Sequence, residues 1–140
     1  MVQKVSEVMT HKLVLLPSSS TVADAAKRMR EADVGDVIVE KNAVLCGILT
    51  DRDIVVRVLG AGLDPKKTRL EDVCSQQPTT ASPDDDVGEV IEIMRNKAIR
   101  RVPVVDTSGQ AVGIISLGDL AQRRDPKSVL GRISSAAATH

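Results

Sequence analysis

Two stretches of the chain set a hydroxyl residue three positions ahead of an aspartate, after a glycine and two aliphatics. They are Gly47-Ile-Leu-Thr50-Asp-Arg-Asp53 and Gly113-Ile-Ile-Ser116-Leu-Gly-Asp119. An ionised aspartate accepts two hydrogen bonds and a ribose offers two adjacent hydroxyl donors, the chemistry by which an acidic residue holds ribose in dinucleotide folds. The neighbouring Thr or Ser hydroxyl can donate or accept. A helix starting at that hydroxyl residue adds exposed N–H groups and a positive dipole end, which favour the aspartate and a nearby phosphate. The same spacing is also a capping box, worth about 1 kcal/mol of helix stability with no ligand. From spacing alone both readings stand.

A second constellation, Arg100-Arg101, precedes the apolar run Val102-Pro-Val-Val105. Guanidinium forks suit phosphate oxygens. Alternation along a strand points the two side chains to opposite faces, so at most one enters a given cleft. The alternative is a solvated edge, or a salt bridge to Asp106 or Asp119. In the first half of the chain the corresponding positions hold Gly35 and Asp36, and an acid there repels phosphate. Arg52, inside the first motif, is the candidate to compensate. The two halves are therefore expected to be unequal, with one site occupied rather than two.

Signatures of catalysis are missing. The chain has no Gly-x-x-x-x-Gly-Lys-(Ser/Thr) phosphate loop, no His-Glu-x-x-His and no cysteine cluster. Gly113-Ile-Ile-Ser116-Leu-Gly118 is one residue too long for a Gly-x-Ser-x-Gly elbow, and neither His11 nor His140 is placed for a triad. The expectation is a protein without enzymatic activity, without a metal and without a required cofactor. Lys+Arg and Asp+Glu both count 19, which removes bulk attraction to nucleic acid or to an anionic membrane. No apolar stretch approaches the roughly 18 residues of a membrane span, and Met1-Val-Gln-Lys4 does not resemble a signal peptide. Cys46 and Cys74 show no paired or metal-ligand spacing and read as small apolar residues in a reducing, cytoplasmic setting. With no Phe, Tyr or Trp among 140 residues, Val, Ile, Leu, Met and Ala must supply the core. Any flat ligand would then meet aliphatic walls.

The elements that position these residues occur twice. Val22 and Val87 stand 65 apart (87 − 22), as do Met29 and Met94 (94 − 29). Gly47 and Gly113 stand 66 apart (113 − 47), so one insertion falls in the turn before the second glycine. Each copy opens with a short helical stretch, Val5 to Met9 and Leu70 to Cys74, then an extended one, Lys12 to Leu16 and Pro78 to Ser82. A helix follows from a capping box, Thr21 with Asp24 and Asp86 with Glu89. Its apolar stripe is Val22, Ala25, Ala26, Met29 in one copy and Val87, Val90, Ile91, Met94 in the other. Strands are expected at Val37 to Val39, Val44 to Leu49, Val102 to Val105 and Ala111 to Ile115, with Pro103 at an edge or bulge. The helix after the first motif carries Ile54, Val55, Val58 and Leu59 on one face and stops at Gly60. These boundaries divide the chain into residues 1–62, residues 63–124 with a linker at their start, and a tail of 125–140. A last helix is expected from Ser128 to Ile133.

This duplicated unit, together with Ile99-Arg-Arg-Val-Pro-Val-Val-Asp106 and the paired Gly-x-x-(Thr/Ser)-x-x-Asp motifs, resembles a tandem pair of cystathionine-β-synthase (CBS) domains, a Bateman module. The resemblance covers about residues 2–124. It implies an α/β (α+β) fold of two β-α-β-β-α units, related by a pseudo-twofold axis and packed sheet to sheet, in a stand-alone protein that forms a homodimer. It further implies clefts between the units that bind adenosine-containing ligands: AMP, ADP, ATP, S-adenosylmethionine or NAD-type molecules. In the family the motif's hydroxyl residue and aspartate hold the ribose, which maps onto Thr50 with Asp53 and onto Ser116 with Asp119. Basic residues before the Val-Pro-Val strand meet phosphate, which maps onto Arg100 and Arg101. Thr80, Ala81 and Pro103 are the candidates for the adenine wall. The expected function is regulatory: ligand changes a conformation or an oligomer that a client protein reads. A dimerisation or adaptor protein with empty clefts is the alternative.

Overall fold

Two aliphatic sets, drawn from interleaved stretches of the chain, build two hydrophobic cores. The computed structural model describes residues 3–118 and 120. One compact unit takes residues 12–79 and 107–111; the other takes residues 3–11, 80–106, 112–118 and Leu120.

The first unit holds β1 (Leu15–Pro17), α2 (Val22–Ala32), β2 (Asp36–Lys41), β3 (Val44–Thr50), α3 (Asp51–Asp53), a π-helix (Ile54–Leu59), α4 (Leu70–Val73) and β4 (Ser75–Gln76). Its strands form one sheet in the order β1-β2-β3-β4, with β1 parallel to β2 and the other pairs antiparallel. Val14, Val22, Met29, Val37, Leu49, Val58 and Leu70 are among its buried residues. The second unit holds α1 (Val5–Val8), α5 (Val87–Lys97), β5 (Arg101–Val105) and β6 (Ala111–Ser116), around Val5, Val8, Met9, Val87, Val104 and Ile115. It repeats the strand order in reduced form. Ala81 bridges Val104 in parallel on one flank, and Thr10 bridges Ile114 antiparallel on the other.

The copies therefore exchange their opening segments. The sequence repeats place α1 with the first copy and α4 with the second, yet Val5, Val8 and Met9 pack among Val87, Val90 and Met94. Leu70, Val73 and Cys74 pack in turn with Val22, Leu49 and Val58. Each motif glycine marks the crossing point. A Cβ on Gly47 would stand 2.6 Å from Cys74 Sγ and 2.9 Å from the Ser75 carbonyl. One on Gly113 would meet Met9 Sδ and stand 2.9 Å from Met9 Cγ. The glycines are there because another segment crosses directly over the strand.

Several local expectations are revised. Thr21 makes its capping box, with Asp24 N donating to Thr21 Oγ1 at 3.2 Å and Thr21 N to Asp24 Oδ2 at 3.3 Å. Asp86 instead accepts from Gly88 N at 2.8 Å, without the reciprocal arm expected from Glu89. Ala26 is exposed, so the buried stripe of α2 narrows to Val22, Ala25 and Met29. After Asp53 the chain winds with i→i+5 bonds, Gly60 N to Val55 O at 2.7 Å and Leu63 N to Val58 O at 2.9 Å. That wider turn breaks the 3.6-residue stripe. Val58 is buried and Ile54 half-buried, whereas Val55 and Leu59 are each 58% exposed. Pro103 meets its expectation of an edge: β5 pairs only with β6 in a two-stranded sheet, and its other flank carries the single Ala81–Val104 bridge. Ala81 N donates to Pro103 O at 2.9 Å, and pairing on that flank is a single bridge, so the missing proline N–H breaks no longer ladder. The helix expected from Ser128 to Ile133, and the tail, lie outside the described residues.

Candidate functional site

The second motif and the arginine pair are brought together by backbone pairing. β6 ends at Ser116, and Leu117 N donates to the Arg100 carbonyl at 3.0 Å. Arg100, Arg101, Ser116, Leu117 and Gly118 line one cavity of about 320 Å³. Arg100 is exposed, while Arg101 and Ser116 are half-buried. Both arginines line this one cavity, against the expectation that at most one would enter it, because β5 begins at Arg101 and Arg100 precedes the strand. Two arginines beside a serine offer the chemistry suited to a phosphate or a polyol. Asp119 lies outside the described residues.

The remaining expected residues fall elsewhere. Ala81 is 4% exposed and belongs to the core of the second unit, Pro103 is buried, and Thr80 is exposed. The Ala81–Pro103 backbone bond holds this group together, but none of the three lines the arginine cavity.

In the first motif the hydroxyl residue and the aspartate bond to each other. Thr50 N donates to Asp53 Oδ2 at 2.9 Å, and Asp53 N donates to Thr50 Oγ1 at 3.1 Å, a complete capping box. The other carboxylate oxygen, Asp53 Oδ1, stands 3.6 Å from Arg57 Nη2. Arg57 Nη1 donates in turn to the Val73 carbonyl at 2.9 Å and to Ser75 Oγ at 3.3 Å. Asp53 thus starts the helix and, through Arg57, anchors the end of α4. Asp36 pairs with Thr50 across the β2–β3 ladder, which puts a carboxylate beside this motif. Asp51 N bonds to Gly35 O at 3.0 Å, the bond that Leu117 makes to Arg100, so Gly35 and Asp36 do occupy the positions of the arginine pair. Arg52, the candidate to compensate, is exposed, and its backbone N donates to Asp51 Oδ1 at 2.8 Å.

Sequence reading missed one cluster. Cys46 and Cys74 line the same cavity, of about 400 Å³, with Ser18, Lys41, Glu71 and Gln76. Burial pushes both thiols above their ordinary pKa; Lys41 pulls Cys46 back in part, and Cys46 adds to the rise at Cys74. The bulge of β3 against β2 at Cys46 and the pairing of β3 with β4 after Cys74 carried the signal, and a count along the chain cannot supply either. Among the described residues no group of three or more His, Cys, Asp or Glu could hold a metal ion, and no helix is long and apolar enough to cross a membrane.

A model of the CBS domain matches residues 5–60 and again residues 70–125. The chain belongs to the CBS domain family. The CBS domain-containing protein YhcV of Bacillus subtilis is 35% identical over 117 residues, 84% of this chain and 82% of that protein. A Methanopyrus kandleri protein is 34% identical over 120 residues, 84% of this chain, which spans 61% of that relative's length. A solved Pyrococcus horikoshii structure matches with a TM-score of 0.81 at 29% identity, covering 91% of this CBS pair and 96% of that chain. The cytosolic domain of the Mg2+ channel MgtE, solved in complex with ATP, matches with a TM-score of 0.74 at 25% identity. That match covers 86% of this CBS pair and 48% of that chain. The family matches follow the sequence repeats, while the packed units exchange their first segments.

Proposed function

We propose that this CBS pair is a regulatory module that senses an adenosine-containing nucleotide at its second motif. The observation that carries the reading is the shared cavity of Arg100, Arg101 and Ser116. The guanidinium groups take the phosphates, and Ser116 with Asp119 takes the ribose hydroxyls. Of the three residues expected at the base only Thr80 is exposed, and it is the candidate to meet the base, since Ala81 and Pro103 are buried. AMP, ADP, ATP, S-adenosylmethionine and NAD-type molecules share the adenosine half, and the ATP complex of the MgtE cytosolic domain supports that class. The first motif stays empty, because Asp36 repels phosphate and both Asp53 oxygens are engaged within the chain. Ligand acts by favouring one conformation or assembly that a partner reads.

A thermal-shift panel tests the reading, with a dye because the chain has no Trp or Tyr. A nucleotide at a hundred times its dissociation constant adds about 2.7 kcal/mol, which raises Tm by roughly 5–15 °C. Unmoved melting with every member of the panel defeats it.

A second reading is an adaptor that works by self-association with its sites empty. It draws on the exposed apolar face of Val55 (58%), Val56 (54%), Leu59 (58%) and Leu63 (44%). A homodimer covering that face would remove it from water.

A further inference from the structure

The two cysteines are 28 positions apart (74 − 46), yet the fold turns both toward one cavity of the first unit. Two devices do this. In the β2–β3 pair Val39 faces Gly47 and Glu40 faces Leu45, which leaves Cys46 as the extra residue of a β-bulge. A bulge re-aims a side chain away from strict alternation, and Cys46 packs against the core cluster that contains Cys74. On the other side, Cys74 ends α4 and leads into β4, whose Gln76 faces Gly47. The missing side chain of Gly47, the residue next to Cys46, makes room for Cys74 Sγ. Packing alone does not require sulfhydryls here. By the repeat offsets the same positions in the second copy hold Val112 (46 + 66) and Met9 (74 − 65), both packed in that unit's core.

We propose that Cys46 and Cys74 form a dithiol modification site that reacts with a low-molecular-weight disulfide and closes to an intramolecular disulfide. Cys46 is half-buried and Cys74 buried, so Cys46 is the thiol that meets the reagent. Its thiolate attacks one sulfur of the small disulfide; a mixed disulfide forms and one small thiolate leaves. Cys74 then loses its proton to the departing thiolate and attacks Cys46 Sγ, and the second small thiolate leaves and takes a proton from solvent. Two protein thiols give up two electrons and two protons, and the small disulfide is reduced to two thiols. The bond ties the bulge of β3 to the end of α4. Val73, beside Cys74, is the residue whose carbonyl holds Arg57, and Arg57 holds Asp53 of the first motif. Oxidation therefore stiffens the anchor of that motif.

The test uses the full chain with oxidised glutathione, an acid quench, intact mass and peptide mapping. The native chain should lose two hydrogens, show no free thiol and yield a Cys46–Cys74 linked peptide. Cys74→Met should hold one glutathione on Cys46, and Cys46→Val should leave Cys74 unmodified. Both substitutions place the second copy's own residue at the matching position, and circular dichroism confirms their fold. Adducts that persist in the native chain without a cross-link would overturn the proposal. So would Cys46-linked pairs of chains, or two thiols that stay free under conditions that oxidise the urea-unfolded chain.

Discussion

Leu117 donates its backbone N–H to the Arg100 carbonyl at 3.0 Å, and Asp51 makes the same bond to Gly35. One backbone scaffold thus carries two different side-chain sets: arginines beside Ser116, and a glycine with an aspartate beside Thr50. The scaffold is duplicated and the chemistry is not. This asymmetry separates what each motif is expected to do.

The first motif should be a matter of stability. Thr50→Ala removes the acceptor for Asp53 N and should cost about 1 kcal/mol, read as a lower urea midpoint. Asp53→Ala removes both the reciprocal arm and the Arg57 pairing and should cost more. Neither substitution should weaken nucleotide binding, whereas Ser116→Ala should weaken it several-fold with a smaller effect on the urea midpoint.

The crossing points should be intolerant of a single methyl group. Gly113→Ala drives a Cβ into Met9 and to 3.1 Å from the Thr10 carbonyl, and Gly47→Ala drives one toward the Ser75 carbonyl. At Gly47 the Ser75 carbonyl stands in the way and side-chain rotation does not relieve the clash, whereas at Gly113 the buried Met9 side chain must move and the Thr10 carbonyl must give slightly. Each should lower stability by roughly 1–3 kcal/mol in chemical denaturation.

The thiols should be slow. Burial raises the pKa of Cys46 and of Cys74, against the partial lowering by Lys41 at the first and Arg57 at the second; Glu40, Glu71 and Asp53 add to the rise. Less thiolate is present at a given pH, so iodoacetamide alkylation should require higher pH in the folded chain than in the urea-unfolded one. The folded state also binds these protons more tightly. Its contribution to stability is full below the unfolded thiol pKa and is lost as pH rises through the raised values. A pH series of alkylation rates, folded against unfolded, checks the sign.

The π-helix face should govern assembly. Val55→Lys with Leu59→Lys places charge on residues that are 58% exposed, at little cost to the fold. Light scattering after size exclusion should show a smaller species than the native chain. An unchanged mass would assign that face no role in self-association.

Much of this arrangement was legible in the sequence, because it is written twice. The 65-residue offset placed α2 against α5 and β2 against β5, and spacing alone identified the box at Thr21. The family resemblance placed Arg100 and Arg101 with Ser116, and those three residues line one cavity, although strand alternation had admitted at most one of the arginines. What stayed hidden depended on pairing across distance. Local pattern cannot say that α1 packs with α5, since Val5 and Val8 suit either core. It cannot foresee the i→i+5 winding that turns Val55 outward, because Ile54, Val55, Val58 and Leu59 fit a helical stripe well. The thiol pair was invisible for the same reason, as a bulge at Cys46 is a property of β3 against β2.

Isothermal titration calorimetry of ATP into the native chain and into Arg101→Ala tests the central claim most directly, with AMP and S-adenosylmethionine as companion ligands. One site per chain is expected, weakened on the order of tenfold or more by the substitution, as loss of a charge-assisted bond of about 1.5–3 kcal/mol requires. Two equal sites indifferent to Arg101, or no heat with any adenosine-containing ligand, would contradict it.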